Sequence, residues 1–204
     1  MAVCEIEGQL QVHLWPDISP LFQSDWDMVM IDIPIGLLDS ERRPCDQAAR
    51  EILGPKRSSV FYSPTRSQVS AQSYEEVRVQ GVSLQSFYLF EKIAEVDQAI
   101  SPAQQIWFHE AHPELAYQVR ANAVLAKKTT ETGRNERSEI LRDLSSPFEL
   151  SDWQSQFLRK QVAIDDLLDA AILLEVARDW ANGKGRRVGG QRRDSKGLKT
   201  EICF

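Results

Sequence analysis

The chain has 204 residues, of which 42% are hydrophobic and 26% are charged, and its formal net charge is −6. This length and composition are typical of one globular domain rather than of a disordered chain or a membrane protein, and we expect residues 1–204 to form a single domain. The acidic balance argues against a generic nucleic-acid coat protein, although a local basic groove would still bind phosphate.

The cysteines and the N-terminus indicate the compartment. Cys4, Cys45 and Cys203 lie far apart, are odd in number and show no C-x-x-C spacing, which favours reduced thiols. The sequence has no apolar run of membrane-spanning length and no basic-then-apolar signal peptide. We therefore expect a cytoplasmic protein with no membrane partner.

Residues 1–15 predict a β-hairpin. Gly8 separates two short segments, and in the second of them Leu10, Val12 and Leu14 alternate with polar residues. A period of two is the pattern of a strand with one buried face. Residues 16–25 are then predicted to be a connector that contains one helical turn.

A short unbroken apolar run at residues 28–31 predicts a strand buried on both faces. Asp32 stands at its end, and Pro34 and Gly36 then turn the chain out of the sheet. A carboxylate at the carboxyl end of a buried strand is where open α/β sheets place chemistry. Alone, the stretch is equally compatible with an aspartate that caps a turn.

The next predicted helix begins with Asp46 as its N-cap and ends at Leu53, with Gly54 as a stop. Basic side chains surround this helix and the serine-rich loop 58–67; they are Arg42, Arg43, Arg50, Lys56, Arg57 and Arg66. Surface arginines are usually solvated, and a phosphate-facing patch is the second interpretation.

Helices are predicted over residues 74–80 and 84–100, and a second buried strand is predicted to start with Ile106, Trp107 and Phe108 and to end at Pro113. On this strand, Glu110 and His112 would share one face. The order H-E-x-H lacks the helical spacing of a zinc protease, so we favour Glu110 as a hard oxygen ligand beside His112. The alternative is that Glu110 pairs with a nearby arginine.

Residues 162–183 predict a largely buried helix that opens with three aspartates. The helix macrodipole accounts for Asp165 and Asp166 near its start. It accounts poorly for Asp169, which lies among apolar residues, because a buried carboxylate needs a partner or a metal ion. On a helix, Asp169 shares a face with either of the other two.

Two further stretches are basic. Lys127 and Lys128 precede a predicted mobile loop at residues 129–134, where solvation is the default and phosphate contact is the alternative. Residues 183–199 are rich in glycine, lysine and arginine, which predicts a flexible segment with affinity for polyanions. Residues 198–204 are predicted to close the chain as a terminal edge strand.

Four acidic positions stand out along the chain: Asp32, Glu110 and the pair Asp166 and Asp169. Carboxylates that converge from strand ends and from one helix are what a two-magnesium site for phosphoryl transfer requires. Each Mg²⁺ binds hard oxygens and keeps water molecules for the phosphate and the attacking hydroxide. Basic side chains would position the phosphate backbone of such a substrate.

Sequence blocks also match a known family, in the family's order and over nearly the whole chain. The blocks are I-D-I-P-I-G-L (31–37), R-P-C-D-Q-A-A-R (43–50), S-S-V-F (58–61), G-V-S-L-Q-S-F (81–87), K-I-A-E-V-D (92–97), H-E-A-H-P-E (109–114), D-D-L-L-D-A (165–170) and G-L-K-T-E-I (197–202). The chain resembles the bacterial and archaeal domain of unknown function 429 family, described as predicted RNase H-like nucleases. The resemblance implies a ribonuclease-H-like three-layer α/β/α fold around a mixed five-stranded sheet, and it says more about fold than about activity.

The resemblance also implies an opening strand that reads roughly G-V-D-G and is followed by a turn and G-W. In ribonuclease-H-like enzymes the aspartate of that strand is the central metal ligand. Here Met1 falls about where the tryptophan would end, so we expect this first strand to be missing. The two explanations are a start codon assigned too late and a genuine loss, and a loss would remove one ligand from the site.

Three functions remain open, each with its own set of residues. The first is a Mg²⁺- or Mn²⁺-dependent nuclease of the hydrolase class, with metal ligands Asp32, Glu110, Asp166 and Asp169. His112 would transfer protons. Phosphate would be bound by Arg43, Arg50 and Arg66. Lys127 and Lys128 would also bind phosphate if they contact the substrate rather than only solvent. The second is a non-catalytic protein on the same fold that binds nucleic acid or phosphate. The third is a hydrolase or phosphotransferase for a small phosphorylated substrate.

Overall fold

The computed structural model describes residues 1–144, 153, 155 and 162–204. The chain is mixed α/β and divides into two compact units. The first unit comprises residues 1–28, 113–185 and 204, and the second comprises residues 29–112 and 186–203. None of the described helices is long and apolar enough to cross a membrane.

The helices and strands succeed one another along the chain as β1 (Ala2–Ile6), β2 (Gln9–His13), α1 (Ser19–Gln23), β3 (Val29–Ile31), α2 (Pro44–Leu53), α3 (Arg66–Val69), α4 (Tyr74–Arg78), α5 (Leu84–Phe87), α6 (Phe90–Ala99), β4 (Phe108–Glu110), α7 (Pro113–Ala121), α8 (Glu131–Asp143), α9 (Ile164–Ala181), β5 (Arg187–Arg193) and β6 (Lys199–Cys203). Two 3₁₀ segments, Gly54–Ser59 and Gln104–Ile106, follow α2 and precede β4.

The first unit contains the predicted hairpin, which the structure confirms. Strands β1 and β2 pair antiparallel with Cys4 opposite Gln11. Glu7 and Gly8 connect them with φ values of 51° and 75°. Two successive residues with positive φ match the right-handed twist of the paired strands and make a tight turn.

Helix α9 supplies much of the core of the first unit, because Leu168, Ile172 and Val176 are fully buried along it. Tyr117 of α7 is also fully buried, and its hydroxyl donates a hydrogen bond of 2.7 Å to the carbonyl of Leu168.

The prediction of a mobile loop at residues 129–134 is wrong, because helix α8 begins at Glu131. Thr130 caps helix α8 there by accepting a hydrogen bond from the backbone N–H of Gly133.

The second unit contains parallel and antiparallel strand pairs. Strands β3 and β4 are parallel, with Ile31 opposite Glu110, and β5 and β6 are antiparallel. The backbone N–H of Ala111 donates to Ile31, and that of His112 donates to Cys203. Successive N–H groups of extended chain point to opposite sides, so β4 lies between β3 and β6.

The prediction that the C-terminal strand lies at a sheet edge is wrong for this reason. Strand β6 pairs with β5 on one side, and an isolated parallel bridge from Ala111 to Cys203 joins it to the end of β4 on the other. Residues 200–203 are accordingly all buried. Strand β5, which lies in the basic segment 183–199, is the outer member of this hairpin.

The predicted N-cap at Asp46 is also wrong. Helix α2 begins at Pro44 with Arg43 in the cap position, and Asp46 lies inside the first turn, completely buried. Proline is favoured at the first helical position because its fixed φ suits the helix and its missing N–H is not needed there. The side chain of Asp46 is therefore available for a tertiary interaction, which is described below.

The loop after β3 packs closely against strand β6. Gly36 has a φ of 80°, and a Cβ atom added to it would lie 2.8 Å from the carbonyl oxygen of Lys199. The next residue, Leu37, is buried in a core cluster with Val77, Phe90 and Ile93. Only glycine satisfies both the positive φ and the close approach to Lys199. Position 36 therefore requires glycine for packing as well as for the turn predicted from Pro34 and Gly36.

We expect Gly36→Ala to destabilise the protein by about 2–4 kcal/mol, since it adds backbone strain and a steric clash. The matched control is Gly81→Ala, because Gly81 has a φ of 84° with no atom within 4 Å of an added Cβ. The free energy of unfolding, measured by urea denaturation, should fall further for Gly36→Ala than for the control. Equal losses of unfolding free energy in the two variants would show that the contact of an added Cβ with the Lys199 carbonyl does not destabilise the protein.

Candidate functional site

A small cleft opens in the second unit at the carboxyl ends of the parallel strands β3 and β4. Its lining includes Asp32, Arg43, Asp46, Phe61, Glu110 and His112. Carboxyl ends of parallel strands meet at one edge, and the register of Ile31 with Glu110 brings the residues that follow each strand together. The structure thus places three predicted catalytic residues, Asp32, Glu110 and His112, around one cleft.

Arg43 is the centre of this cleft. Its side chain is 2% exposed, and all five of its N–H groups have acceptors within the second unit. Nη1 donates to the carbonyl of Ile35 at 2.8 Å and to Oε2 of Glu110 at 2.6 Å. Nη2 donates to Oε1 of Glu110 at 2.7 Å and to Oδ1 of Asp46 at 2.5 Å, and Nε donates to the same Oδ1 at 3.0 Å.

The two carboxylates around Arg43 are held by further donors. Oε2 of Glu110 accepts the backbone N–H of Ile35 at 2.7 Å, and Oδ2 of Asp46 accepts the backbone N–H of Ser63 at 2.8 Å. Such charge-assisted bonds are roughly twice as strong as neutral ones. The three side chains therefore form one buried ionic network that ties the loop after β3 to β4 and to the segment after α2.

Burial raises the pKa values of Glu110 and of the neighbouring Cys45. Desolvation raises the pKa of Glu110, although the Arg43 guanidinium and the N–H of Ile35 act against that rise. Desolvation also raises the pKa of the Cys45 thiol, to about 12, even though Arg43 favours the thiolate. Cys45, Cys4 and Cys203 are free thiols, as predicted, and the buried Cys45 is a poor nucleophile.

A second ionic network holds the far end of the loop after β3. Oδ2 of the buried Asp194 accepts the N–H of Leu37 at 3.1 Å and Nη2 of Arg66 at 2.5 Å. Arg66 also donates from Nη1 to Asp97 at 2.6 Å, and Oδ1 of Asp194 accepts the N–H of Leu198 at 2.8 Å. Because Ile35 and Leu37 are both anchored, the loop that follows Asp32 is constrained.

Asp32 and His112 are the more accessible acid–base groups of the cleft. Asp32 is exposed, whereas Glu110 is 6% exposed. Nε2 of His112 lies 3.2 Å from the carbonyl oxygen of Ser59, and since that oxygen accepts, Nε2 carries a proton in the bond. Nδ1 is then the ring nitrogen that can accept a proton when the ring is neutral.

The arginines predicted to bind phosphate have partners inside the protein. Arg43 and Arg66 belong to the two networks above. Arg50 donates to the carbonyls of Arg57 and Val60, and its guanidinium lies 4.6 Å from the centre of the Tyr62 ring. Their role in phosphate binding stays a prediction, and it would require these contacts to be exchanged for a ligand.

The remaining predicted site residues lie in the first unit. Asp169 accepts a hydrogen bond from Nζ of Lys128 at 2.6 Å, which provides the partner that its position among apolar residues requires. Asp166 is exposed in the first turn of α9, and Lys127 is exposed before α8. The predicted roles of Asp166 and Asp169 as metal ligands stay predictions.

Sequence reasoning missed a further buried acid, Glu201 of β6. Its side chain is 2% exposed, with Nδ1 of His109 3.5 Å from Oε1 and Nε of Arg187 3.4 Å from Oε2. Burial opposes ionisation, but His109, Arg187 and Lys199 lower the pKa of Glu201 overall. Only the pairing of β6 with β5 and its approach to β4 reveal this cluster, because the three residues are distant in sequence.

Glu110 does not fit its predicted role as a magnesium ligand. Glu110 gives both oxygens to Arg43 and Asp46 shares its Oδ1 with the same guanidinium, so the hard oxygens that Mg²⁺ prefers already bind a cation. Across residues 1–144, 153, 155 and 162–204, no group of three or more His, Cys, Asp or Glu side chains is arranged to hold a metal ion. The alternative stated for Glu110, a pairing with an arginine, is the arrangement observed.

Comparisons with known proteins give one match. Residues 1–193 match the model of a family described as Protein of unknown function (DUF429). No curated protein and no solved structure matches the chain.

We expect Arg43→Ala to lower the free energy of unfolding by about 3–5 kcal/mol, because it leaves Glu110 and Asp46 buried without their counter-ion. Arg50→Ala is the matched control, since Arg50 is half-buried and donates to backbone carbonyls. That variant should lose about 1–2 kcal/mol in urea denaturation. A loss at Arg43 no larger than the loss at Arg50 would contradict the central role of this guanidinium.

The lowered pKa of Glu201 predicts a stability that depends on pH. A carboxyl whose folded pKa is depressed contributes stability above its unfolded pKa, and this contribution is lost as the pH falls through the folded value. Glu201→Gln removes the ionisation, so its unfolding free energy should decline less than that of the wild type between neutral pH and about pH 3. The exposed Glu91→Gln is the control, and an unchanged acid decline in Glu201→Gln would contradict the assignment.

Proposed function

The chain belongs to the DUF429 family, and we propose that it is an RNase H-like hydrolase that cleaves phosphodiester bonds in nucleic acid. The observation that carries the proposal is the cleft at the carboxyl ends of β3 and β4, around which Asp32, Glu110 and His112 gather. The parallel β3–β4 pair and the antiparallel β5–β6 pair support the proposed three-layer α/β/α arrangement around a mixed sheet. The free cysteines suit a reducing compartment, so the cytoplasm is the proposed location.

Asp32 and His112 carry the proposed chemistry in this cleft. The exposed carboxylate of Asp32 accepts a proton from the water that attacks phosphorus. The His112 ring, oriented by the carbonyl of Ser59, acts in its protonated form: it gives its Nδ1 proton to the oxygen that leaves when the phosphorus–oxygen bond breaks, and becomes neutral. Arg43, Asp46 and Glu110 act as a rigid floor that positions these two groups.

A second candidate function is non-catalytic binding of nucleic acid or phosphate on the same fold. The specific observation in its favour is that Arg43 occupies both oxygens of Glu110, which removes a predicted metal ligand from the reacting centre. Exposed cations on β5, among them Arg192 and Arg193, would then contact the phosphate backbone. This second candidate predicts that the protein binds nucleic acid or phosphate and does not hydrolyse it.

The decisive experiment compares hydrolysis of labelled single-stranded RNA and DNA, with and without Mg²⁺ or Mn²⁺, by the wild type and Asp32→Asn. We expect a rate loss of roughly 10²–10⁴-fold in Asp32→Asn, because general acid–base groups contribute about that much. Asp25→Asn, an exposed aspartate outside the cleft, is the matched control and should keep full activity.

The outcomes separate the candidates. Hydrolysis that Asp32→Asn leaves intact would place the reaction elsewhere. Retention on nucleic acid that weakens steeply with salt, but without cleavage, would favour the non-catalytic protein. Hydrolysis of a small phosphate ester together with nucleic-acid retention that does not change with salt would favour a small phosphorylated substrate.

A further inference from the structure

The geometry around Arg43 points to an internal cation that takes the place of a divalent metal ion: we infer that its guanidinium neutralises Glu110 and Asp46, so that neither carboxylate ligates Mg²⁺ or Mn²⁺. The inference rests on the proposed function only in assigning the reaction to this cleft. Its own evidence is the set of hydrogen bonds and the charges of the second unit.

Hydrogen bonds saturate the guanidinium of Arg43. An arginine has five N–H donors in a fixed planar fork, and each of the five in Arg43 has an acceptor between 2.5 and 3.0 Å away. Four of these contacts reach Asp46 and Glu110, at 2.5, 2.6, 2.7 and 3.0 Å. Arginine is suited to this role because it stays charged and matches carboxylates with two bonds at once.

The carboxylate oxygens around Arg43 are also occupied. Oε2 of Glu110 receives two donors, Arg43 and the N–H of Ile35, at 2.6 and 2.7 Å. Oδ1 of Asp46 receives two N–H groups of Arg43, and Oδ2 receives the N–H of Ser63. A divalent ion bound here would displace several of these bonds and would lie beside the guanidinium charge.

The positive charge of Arg43 also opposes a metal ion at this place. Like charges a few ångströms apart repel strongly in a buried site, where the effective dielectric constant is low. Arg43 is 1% exposed and stays charged: burial lowers its pKa, but the Asp46 and Glu110 carboxylates raise that pKa well above the ordinary arginine value. A metal ion at Glu110 would therefore have to compete with a permanent cation that the fold holds in place.

Mn²⁺ titration of the complete chain tests the inference without measuring activity. Bound Mn²⁺ is counted by electron paramagnetic resonance, and melting temperatures are recorded with and without the ion. We expect Glu110→Gln to bind as much Mn²⁺ as the wild type and to show the same Mn²⁺-induced change in melting temperature. Loss of bound Mn²⁺ in a folded Glu110→Gln variant would overturn the inference, because Glu110 would then be a ligand.

Arg43→Ala provides the converse test. It leaves two carboxylates, Glu110 and Asp46, around an emptied position, and we expect Mn²⁺ to raise its melting temperature more than that of the wild type. The matched control is Arg137→Ala, because Arg137 is equally buried but forms its ion pair with Glu114. A folded Arg43→Ala variant without this gain would contradict the inference, and if the variant does not fold, Glu110→Gln decides.

These readouts are separate from those of the proposed function. The absence of hydrolysis by the wild type would refute the nuclease and leave the Mn²⁺ result unaffected. A wild type that hydrolyses nucleic acid and loses bound Mn²⁺ in Glu110→Gln would support the nuclease and refute the internal cation.

Discussion

The guanidinium of Arg43, with five N–H groups donated to Ile35, Asp46 and Glu110, is the interaction on which the second unit depends. It joins the loop after β3 and the first turn of α2 to the end of β4, which is distant from both in sequence. A buried ion pair is weak evidence of net stability, because desolvation offsets the attraction. Its clearer consequence is specificity, since each buried donor and acceptor must find its partner and only one arrangement supplies them all.

That arrangement determines how the cleft is displayed. Ile35 is held by Arg43 and Glu110 through its carbonyl and its N–H, and Leu37 is held by Asp194. Gly36 between them needs a positive φ and approaches Lys199 closely. A loop anchored at both Ile35 and Leu37 has few low-energy ways to open. The exposed Asp32 therefore precedes a rigid loop. Preorganisation of this kind serves a site that binds or reacts with a substrate.

Some features were predictable because they depend on local sequence. The alternation of Leu10 and Val12 identified the hairpin, and the apolar run before Asp32 identified β3. The prediction that Asp169 needs a partner was also sound, since its position among apolar residues requires one and Lys128 provides it. Asp46 was misassigned for an instructive reason. An aspartate near a helix start is usually a cap, but here Pro44 begins the helix and frees the carboxylate for Arg43.

Other features depend on contacts that no local pattern encodes. Burial of Glu201 beside His109 and Arg187 follows from the insertion of β6 between β4 and β5, and β6 had been predicted as an edge. Nor does sequence spacing distinguish a carboxylate that holds a metal ion from one that holds an arginine, because both are acids beside a strand end.

The amino-acid sequence thus specified the hairpin and the strand before Asp32, because both follow from short-range periodicity and turn chemistry, and its sequence blocks identified the family. Tertiary structure alone decided which partner each buried charge has. Arg43 and Glu110 are 67 residues apart, and their pairing depends on where the parallel strands and helix α2 bring the side chains, since a buried charge is stabilised only by the groups that surround it.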